Sequence, residues 1–287
     1  MDIAVFCGIT AMAGWGCADF IQGVAIRNIG TAMVMMLRNI ITLVISLSLG
    51  TYIYFQHGFQ TSLPALAIIS ISSVIYVIGY LSYMRGFEHG KAAVVAPIAS
   101  SFAIVTVLLS VVFNNETVSL LQVIAIAIMI TGGLLISTDF RELKRGAPAA
   151  GVKEAFTALL FFGVAFYLAG FASQRMTAQE AFFFSALTQS IAFLICARMI
   201  GARLQQTVIY KTMFLKVFLI HALLVNGAWV GYLTGVQTGM ISIVAPISSV
   251  FSGVTALLAI VIARERLYWT QNLGIVLIMA GVYTISL

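Results

Sequence analysis

The chain has 287 residues, 61% of them hydrophobic and 8% charged, and its mean hydropathy is +1.08; a water-soluble globule, with about 25% charged residues, is excluded. The net charge of +6 does not mark a nucleic-acid partner, because the 15 Lys and Arg stand singly or in small groups between apolar runs rather than along one helical face. Cys7, Cys17 and Cys196 are isolated inside apolar segments, so neither a disulfide framework nor metal-ligand spacing is present, and no cofactor is expected.

In chain order, ten runs are long and apolar enough to cross a bilayer: about 3–26, 31–55, 64–86, 91–113, 118–138, 153–174, 179–200, 212–236, 240–262 and 268–287. Asp2 stands where a signal peptide would carry basic residues, so the first run is expected to be a retained span. Most connections are a few residues marked by Gly, Pro, Asn or a charge, such as Asn114-Asn115-Glu116. The stretch DFRELKRGAPAAGVK, from Asp139 to Lys153, is the most polar in the chain and falls near its midpoint. These features predict an all-α integral membrane protein with a first unit at 1–138, a linker at 139–152 and a second unit at 153–287.

The two units repeat one another. Residues 80–138 lie against 229–287 without a gap at an offset of 149 (Pro246 minus Pro97), with about 20 identities in 59 positions. Pro97, Ser100, Phe102, Thr106, Glu116, Gln122 and Gly132 meet Pro246, Ser249, Phe251, Thr255, Glu265, Gln271 and Gly281. The first spans match at an offset of 147, with Gly16, Phe20 and Gly23 against Gly163, Tyr167 and Gly170. Five spans per copy is an odd number, so the second copy is expected upside down relative to the first. Of the 15 basic residues, 13 fall near connections one, three, five, seven and nine, Arg38 and Arg175 being the exceptions. Cytoplasmic loops carry the Lys and Arg excess; the linker is therefore predicted in the cytoplasm and both termini outside, in the cytoplasmic membrane.

Candidate residues follow from the cost of polarity in lipid. Asp19 costs about 2.5–3.5 kcal/mol in a span unless it meets water or a partner. Trp15, Asp19 and Gln22 share one helical face. Asp19 is either a site for a proton or a cationic solute, or it reaches the cytoplasmic interface or pairs structurally with Arg38; the counterpart position in the second half is Phe166. Arg38 either pairs structurally or binds a substrate carboxylate. Tyr76, Tyr80 and Tyr83 form a stripe that either packs or lines a cavity, and the repeat sets Trp229 against Tyr80 and Tyr232 against Tyr83. Asn226 lies one turn before Trp229, and His221 is either an interhelical bonding residue or a coupling group. Pro97 and Pro246 are expected to bend their helices beside Ser100, Ser101, Ser248 and Ser249, at paired places in an inverted repeat. Glu116 and Glu265 end their spans and read as helix caps or interfacial pairs. Gly14, Gly16 and Gly23 permit close helix contact.

GWGCADF (14–20), Arg38, the Pro97-to-Glu116 and Pro246-to-Glu265 segments, Gly132 and Gly281 together resemble the EamA-type members of the drug/metabolite transporter superfamily. In place of a second Trp-Gly the sixth span reads FFGVAF (161–166), and NNE and ARE stand where that family often has Leu-Gly-Glu. The resemblance implies a secondary carrier with a central cavity and alternating access for an amino acid, amine, sugar or drug-like solute. A monomer or weak homodimer is expected, with protons as a potential coupling ion. A passive channel and, less favoured, a membrane-embedded enzyme are the alternatives.

Overall fold

Apolar runs in lipid become helices because each backbone N–H and C=O must bond within its own segment. The computed structural model describes residues 3–29, 31–89, 95, 98–137, 151–199, 212–263 and 269–285. The helices are α1 (Ile3–Ile29), α2 (Thr31–Gln56), α3 (Leu63–His89), α4 (Ala103–Asn114), α5 (Leu120–Ser137), α6 (Val152–Ser173), α7 (Ala178–Met199), α8 (Thr212–Thr238), α9 (Ile241–Ser249), α10 (Phe251–Ala263) and α11 (Trp269–Ile285). Six of them, α1 to α3 and α6 to α8, are long and apolar enough to cross a membrane. The remaining expected spans are shorter apolar stretches: Ile98–Asn114, Leu120–Leu135, Ile241–Thr255 and Asn272–Gly281.

The two apolar stretches expected as the fourth and ninth spans are interrupted rather than simply bent. Pro246 sits inside α9, but the helix ends four residues later at Val250, whose N–H reaches back to the Ile247 carbonyl at 3.4 Å before α10 begins. In the fourth span Ser101 and Phe102 donate to the carbonyls of Ile98 and Ala99, both at 3.2 Å. Bonds of this i−3 kind tighten the helix locally. At the offset of 149 Ser101 is the counterpart of Val250, so both copies break at one place. Pro97 itself lies outside the described residues.

Side chains are sorted for lipid. Phe6, Leu47, Leu108, Leu160, Ile195, Leu223 and Met279 are exposed on the outside, while Ala4, Ala11, Ala158, Ala169 and Ala172 are buried. Small residues inside let backbones approach, which is how helices associate when lipid tails are as apolar as leucine.

The principal pairings join the two halves: α3 packs on α6, α1 on α8, α2 on α7 and α5 on α11. The first two are one arrangement made twice, the third span of each copy lying on the first span of the other. Two further crossings between the halves, α1 on α10 and α6 on α4, are close because each has a glycine at the contact. A Cβ at Gly16 would stand 2.4 Å from Val254 Cβ, and one at Gly163 would stand 2.4 Å from Val105 Cβ. At these crossings Thr255 Oγ1 donates to the Gly16 carbonyl and Thr106 Oγ1 to the Gly163 carbonyl, each at 3.0 Å. Gly132 and Gly281 do the same for α5 and α11: a Cβ would meet the Gly274 carbonyl at 2.8 Å in one case and Met129 Cγ at 2.5 Å in the other.

Candidate functional site: a central aromatic cavity

The paired crossings leave a space between the halves. Trp15 and Asp19 from α1, Arg38 from α2 and Tyr76, Tyr80 and Tyr83 from α3 line a cavity of about 50 Å³, closed on the other side by Phe102, Phe162, Phe166, Val225 and Phe251. Six of the residues singled out in the sequence are thus brought together. A water needs about 10–15 Å³ of such space, so the cavity has room for a few waters, well below the ~300 Å³ of a small-molecule site.

Arg38 is buried and fixed from several sides. Its guanidinium donates to Gln22 Oε1 at 3.4 Å and to the Tyr80 hydroxyl at 3.3 Å. It lies 4.9 Å from the Tyr80 ring centroid and 5.3 Å from that of Phe193. Gln22 Nε2 donates to the same Tyr80 hydroxyl at 2.5 Å. The guanidinium also meets the Tyr76 hydroxyl, and Asp19, on the same cavity lining, acts on it through its charge.

The repeat explains why the cavity is lopsided. Counterparts of Trp15 and Asp19 are Phe162 and Phe166, while Tyr76, Tyr80 and Tyr83 correspond to Val225, Trp229 and Tyr232. The second half therefore supplies ring packing where the first supplies polar groups. Phe166 stacks on Phe102 at 4.4 Å and meets Trp15, Trp229 and Tyr232 edge-on at 5.4, 5.4 and 5.0 Å. Trp229 and Tyr232 lie parallel, 5.6 Å apart with planes 7° from one another. Even the Arg38–Tyr80 contact has an echo, since the 147 offset sets Ser185 against Arg38 and Trp229 Nε1 donates to Ser185 Oγ at 2.7 Å.

Other candidates stand outside the lining. Tyr232 is fully buried and donates to the Phe166 carbonyl at 2.9 Å, one layer behind the cavity. Asn226 Nδ2 ties α8 to α2 through Thr42 Oγ1 at 3.2 Å and bonds the Ala222 carbonyl at 2.7 Å. His221 is 1% exposed with neither ring nitrogen bonded, one turn from Val225 on α8. Ser249 donates to the Pro246 carbonyl at 2.8 Å, and Ser248 to the Ala245 carbonyl at 2.9 Å. Ser100 lies just before the break in the fourth span, away from the lining. Glu265 falls outside the described residues.

At one end of the bundle is a second, open recess of about 380 Å³, bordered by Phe113, Asn114, Glu116, Phe171, Gln174, Arg175, Gly239 and Met240. Glu116 there does what a cap does, but between repeats: its two carboxylate oxygens accept from the backbone N–H groups of Ile241 and Ser242 at 3.1 and 2.9 Å. Glu180, not picked out from the sequence, makes a similar bridge, accepting the Gln60 N–H at 2.6 Å. Its readable signal is Thr177-x-x-Glu180, a capping box: Thr177 Oγ1 donates to the carboxylate at 3.0 Å and accepts the Glu180 N–H at 3.2 Å.

Comparison with known proteins agrees with this architecture. A solved crystal structure superposes with a TM-score of 0.77 at 13% identity, covering 98% of this chain and 94% of that one; at that identity the likeness is one of fold. An uncharacterized protein of Methanocaldococcus jannaschii is 28% identical over 137 residues, which are 48% of this chain and 98% of the relative. That relative is as long as a single repeat. The EamA-like transporter family matches twice, over residues 2–138 and again over 150–287. The chain is an integral membrane protein and belongs to the EamA-like transporter family.

Proposed function

We propose that this protein is a secondary transporter of a small organic solute, working by alternating access through the cavity between its two repeats. One observation carries the reading: Asp19 and Arg38, opposite charges inside membrane-spanning helices, face a single aromatic cavity to which both repeats contribute. Arg38 is held rigidly, as a recognition group for a carboxylate or other acceptor should be. Asp19 is the proposed site for a proton or an amine, and Trp15 with Tyr76, Tyr80 and Tyr83 forms walls suited to cation–π and ring contact. A solute bearing an amine, an acid or both fits this pair of ends.

The proposed arrangement is ten spans in two inverted five-helix repeats, with both termini outside and the linker in the cytoplasm. The odd span count, the exchange of basic residues between copies and the doubled α1–α8 and α6–α3 packing support it. A cavity of about 50 Å³ favours a carrier over a passive channel, which needs a continuous wet path. His221 and Ser249, outside the cavity lining, act in this scheme through their helices rather than by touching the solute.

The test is saturable counterflow in proteoliposomes, with substrates first chosen by thermal shift against amino acids, amines, nucleosides and sugars. Asp19→Asn is expected to lower uptake about tenfold or more and to flatten its pH dependence, the size expected for losing one charged contact. Uptake and pH profile unchanged in Asp19→Asn would overturn the role given to Asp19.

A further inference from the structure

We infer that Glu116 is a positioning residue for transport: its carboxylate latches the first repeat onto the start of α9 and holds closed the end of the bundle that carries the 114–116, 174–177 and 239–240 connections. The inference rests on the transporter reading, in which that end faces outward.

The need for the latch is readable in the helix it grips. α9 begins after Met240, whose side chain makes no cap bond, so the first N–H groups of the helix have no partner of their own. All nine residues from Ile241 to Ser249 are buried, so their backbone groups call for partners within the protein. Glu116 supplies both missing acceptors at once. It is also a charge at a helix N-terminus, where the aligned peptide dipoles favour an anion.

The backbone of the first repeat is shaped to deliver that carboxylate. Asn115 ends α4 in the left-handed region at φ 53°, and the Glu116 N–H turns back to the Ser110 carbonyl at 3.4 Å. Asn114 is held in turn by the second repeat, because the Tyr167 hydroxyl donates to its Oδ1 at 3.0 Å. Glu180 on the Gln60 N–H adds a separate tie across the repeats.

The latch also lies where closure matters. The 380 Å³ recess that Glu116 borders and the 50 Å³ cavity around Asp19 share no lining residue. Phe166, which lines the cavity, accepts the Tyr232 hydroxyl at its carbonyl, and α10, which follows α9, begins with Phe251 at the cavity. Moving α9 away from Glu116 gives up both bonds and lets the recess reach the cavity; restoring them closes it again. Such a contact belongs to one access state and not to the other.

Accessibility, rather than uptake, tests this. In full-length protein reconstituted in liposomes, Cys7, Cys17 and Cys196 are replaced by Ala and a single cysteine is placed in the cavity by Val225→Cys. Labelling by a membrane-impermeant thiol reagent added outside is then timed. Glu116→Ala is expected to speed labelling about tenfold, the response to losing a charge-assisted pair of bonds, while Glu116→Asp keeps labelling slow. Should Glu116→Ala misfold, Glu116→Gln, which keeps one acceptor oxygen, is expected to give an intermediate rate with Tm close to that of the parent. Labelling in Glu116→Ala or Glu116→Gln at the parent rate overturns the latch, whether or not the protein carries a solute. Faster labelling in every variant, Glu116→Asp included, also overturns it, because the carboxylate would then confer nothing.

Discussion

Arg38 lines the cavity as a buried side chain, and a neutral neighbour helps to hold it. Gln22 bonds both the guanidinium and the Tyr80 hydroxyl that the guanidinium also meets, so its amide holds two cavity-lining side chains without itself being part of the lining. Gln22→Leu is therefore expected to leave a buried charge short of an acceptor, at about 1.5–3 kcal/mol, lowering Tm in detergent and weakening binding of carboxylate-bearing solutes more than of simple amines. Equal weakening of both classes in a thermal-shift series would count against it. The Trp15, Asp19, Gln22 face was legible because a costly carboxylate and an i, i+4, i+7 spacing coincide there. Tyr232 shows where spacing stops informing: it shares periodicity with Trp229, yet its hydroxyl is taken by the Phe166 carbonyl on another helix, a partner that no local pattern reveals. Asn226 is similar, its amide going to Thr42 of a helix 184 positions away.

The helices were read from hydropathy and from the repeat, and most of the elements stand near their expected bounds. The breaks at Ser101 and Val250 were not, because proline marks a missing N–H but not where the chain recovers from it; here the backbone stays helical through Pro246 and yields four residues on. The glycine positions were legible only as permission for close contact, whereas the structure shows which backbone each one admits. Gly163 and Gly16 hold the same place in the two copies, against Val105 and Val254. Gly163→Val and Gly16→Val should each force a crossing apart, at about 1–3 kcal/mol for overpacking, and separate the threonine hydroxyls from the glycine carbonyls they now bond. Gly227, with nothing within 4 Å of an added Cβ, is the control: Gly227→Ala should leave Tm level or raised, as a helical Gly→Ala change gains about 0.5–1 kcal/mol. A Gly163→Val protein as stable as Gly227→Ala would show that the crossing is not tight.

Over the whole molecule, the halves are interlocked rather than adjacent. α1 lies on α8, α3 on α6, α2 on α7 and α5 on α11, so each repeat buries its small-residue faces chiefly against the other copy, and the aromatic cluster around Phe166 draws Trp15, Tyr76 and Phe102 from one half and Trp229 and Tyr232 from the other. A relative the length of one repeat matches 48% of the chain, which is the size expected of a unit that pairs with a second copy. Covalent linkage through 139–152 should then be dispensable while the partner half is not. Coexpressing residues 1–145 and 146–287 as separate polypeptides is expected to give a complex that copurifies and unfolds at a Tm near that of the intact chain. The first polypeptide alone leaves Ser72 Oγ without the Ala165 carbonyl, and the second alone leaves the Ile241 and Ser242 N–H groups without the Glu116 carboxylate; buried polar groups without partners are costly in lipid. Single halves should accordingly aggregate or be degraded. A half that stays monodisperse and thermally stable by itself would mean that its faces are satisfied from within, and the cavity would then be a contact between two finished domains rather than the product of their mutual folding.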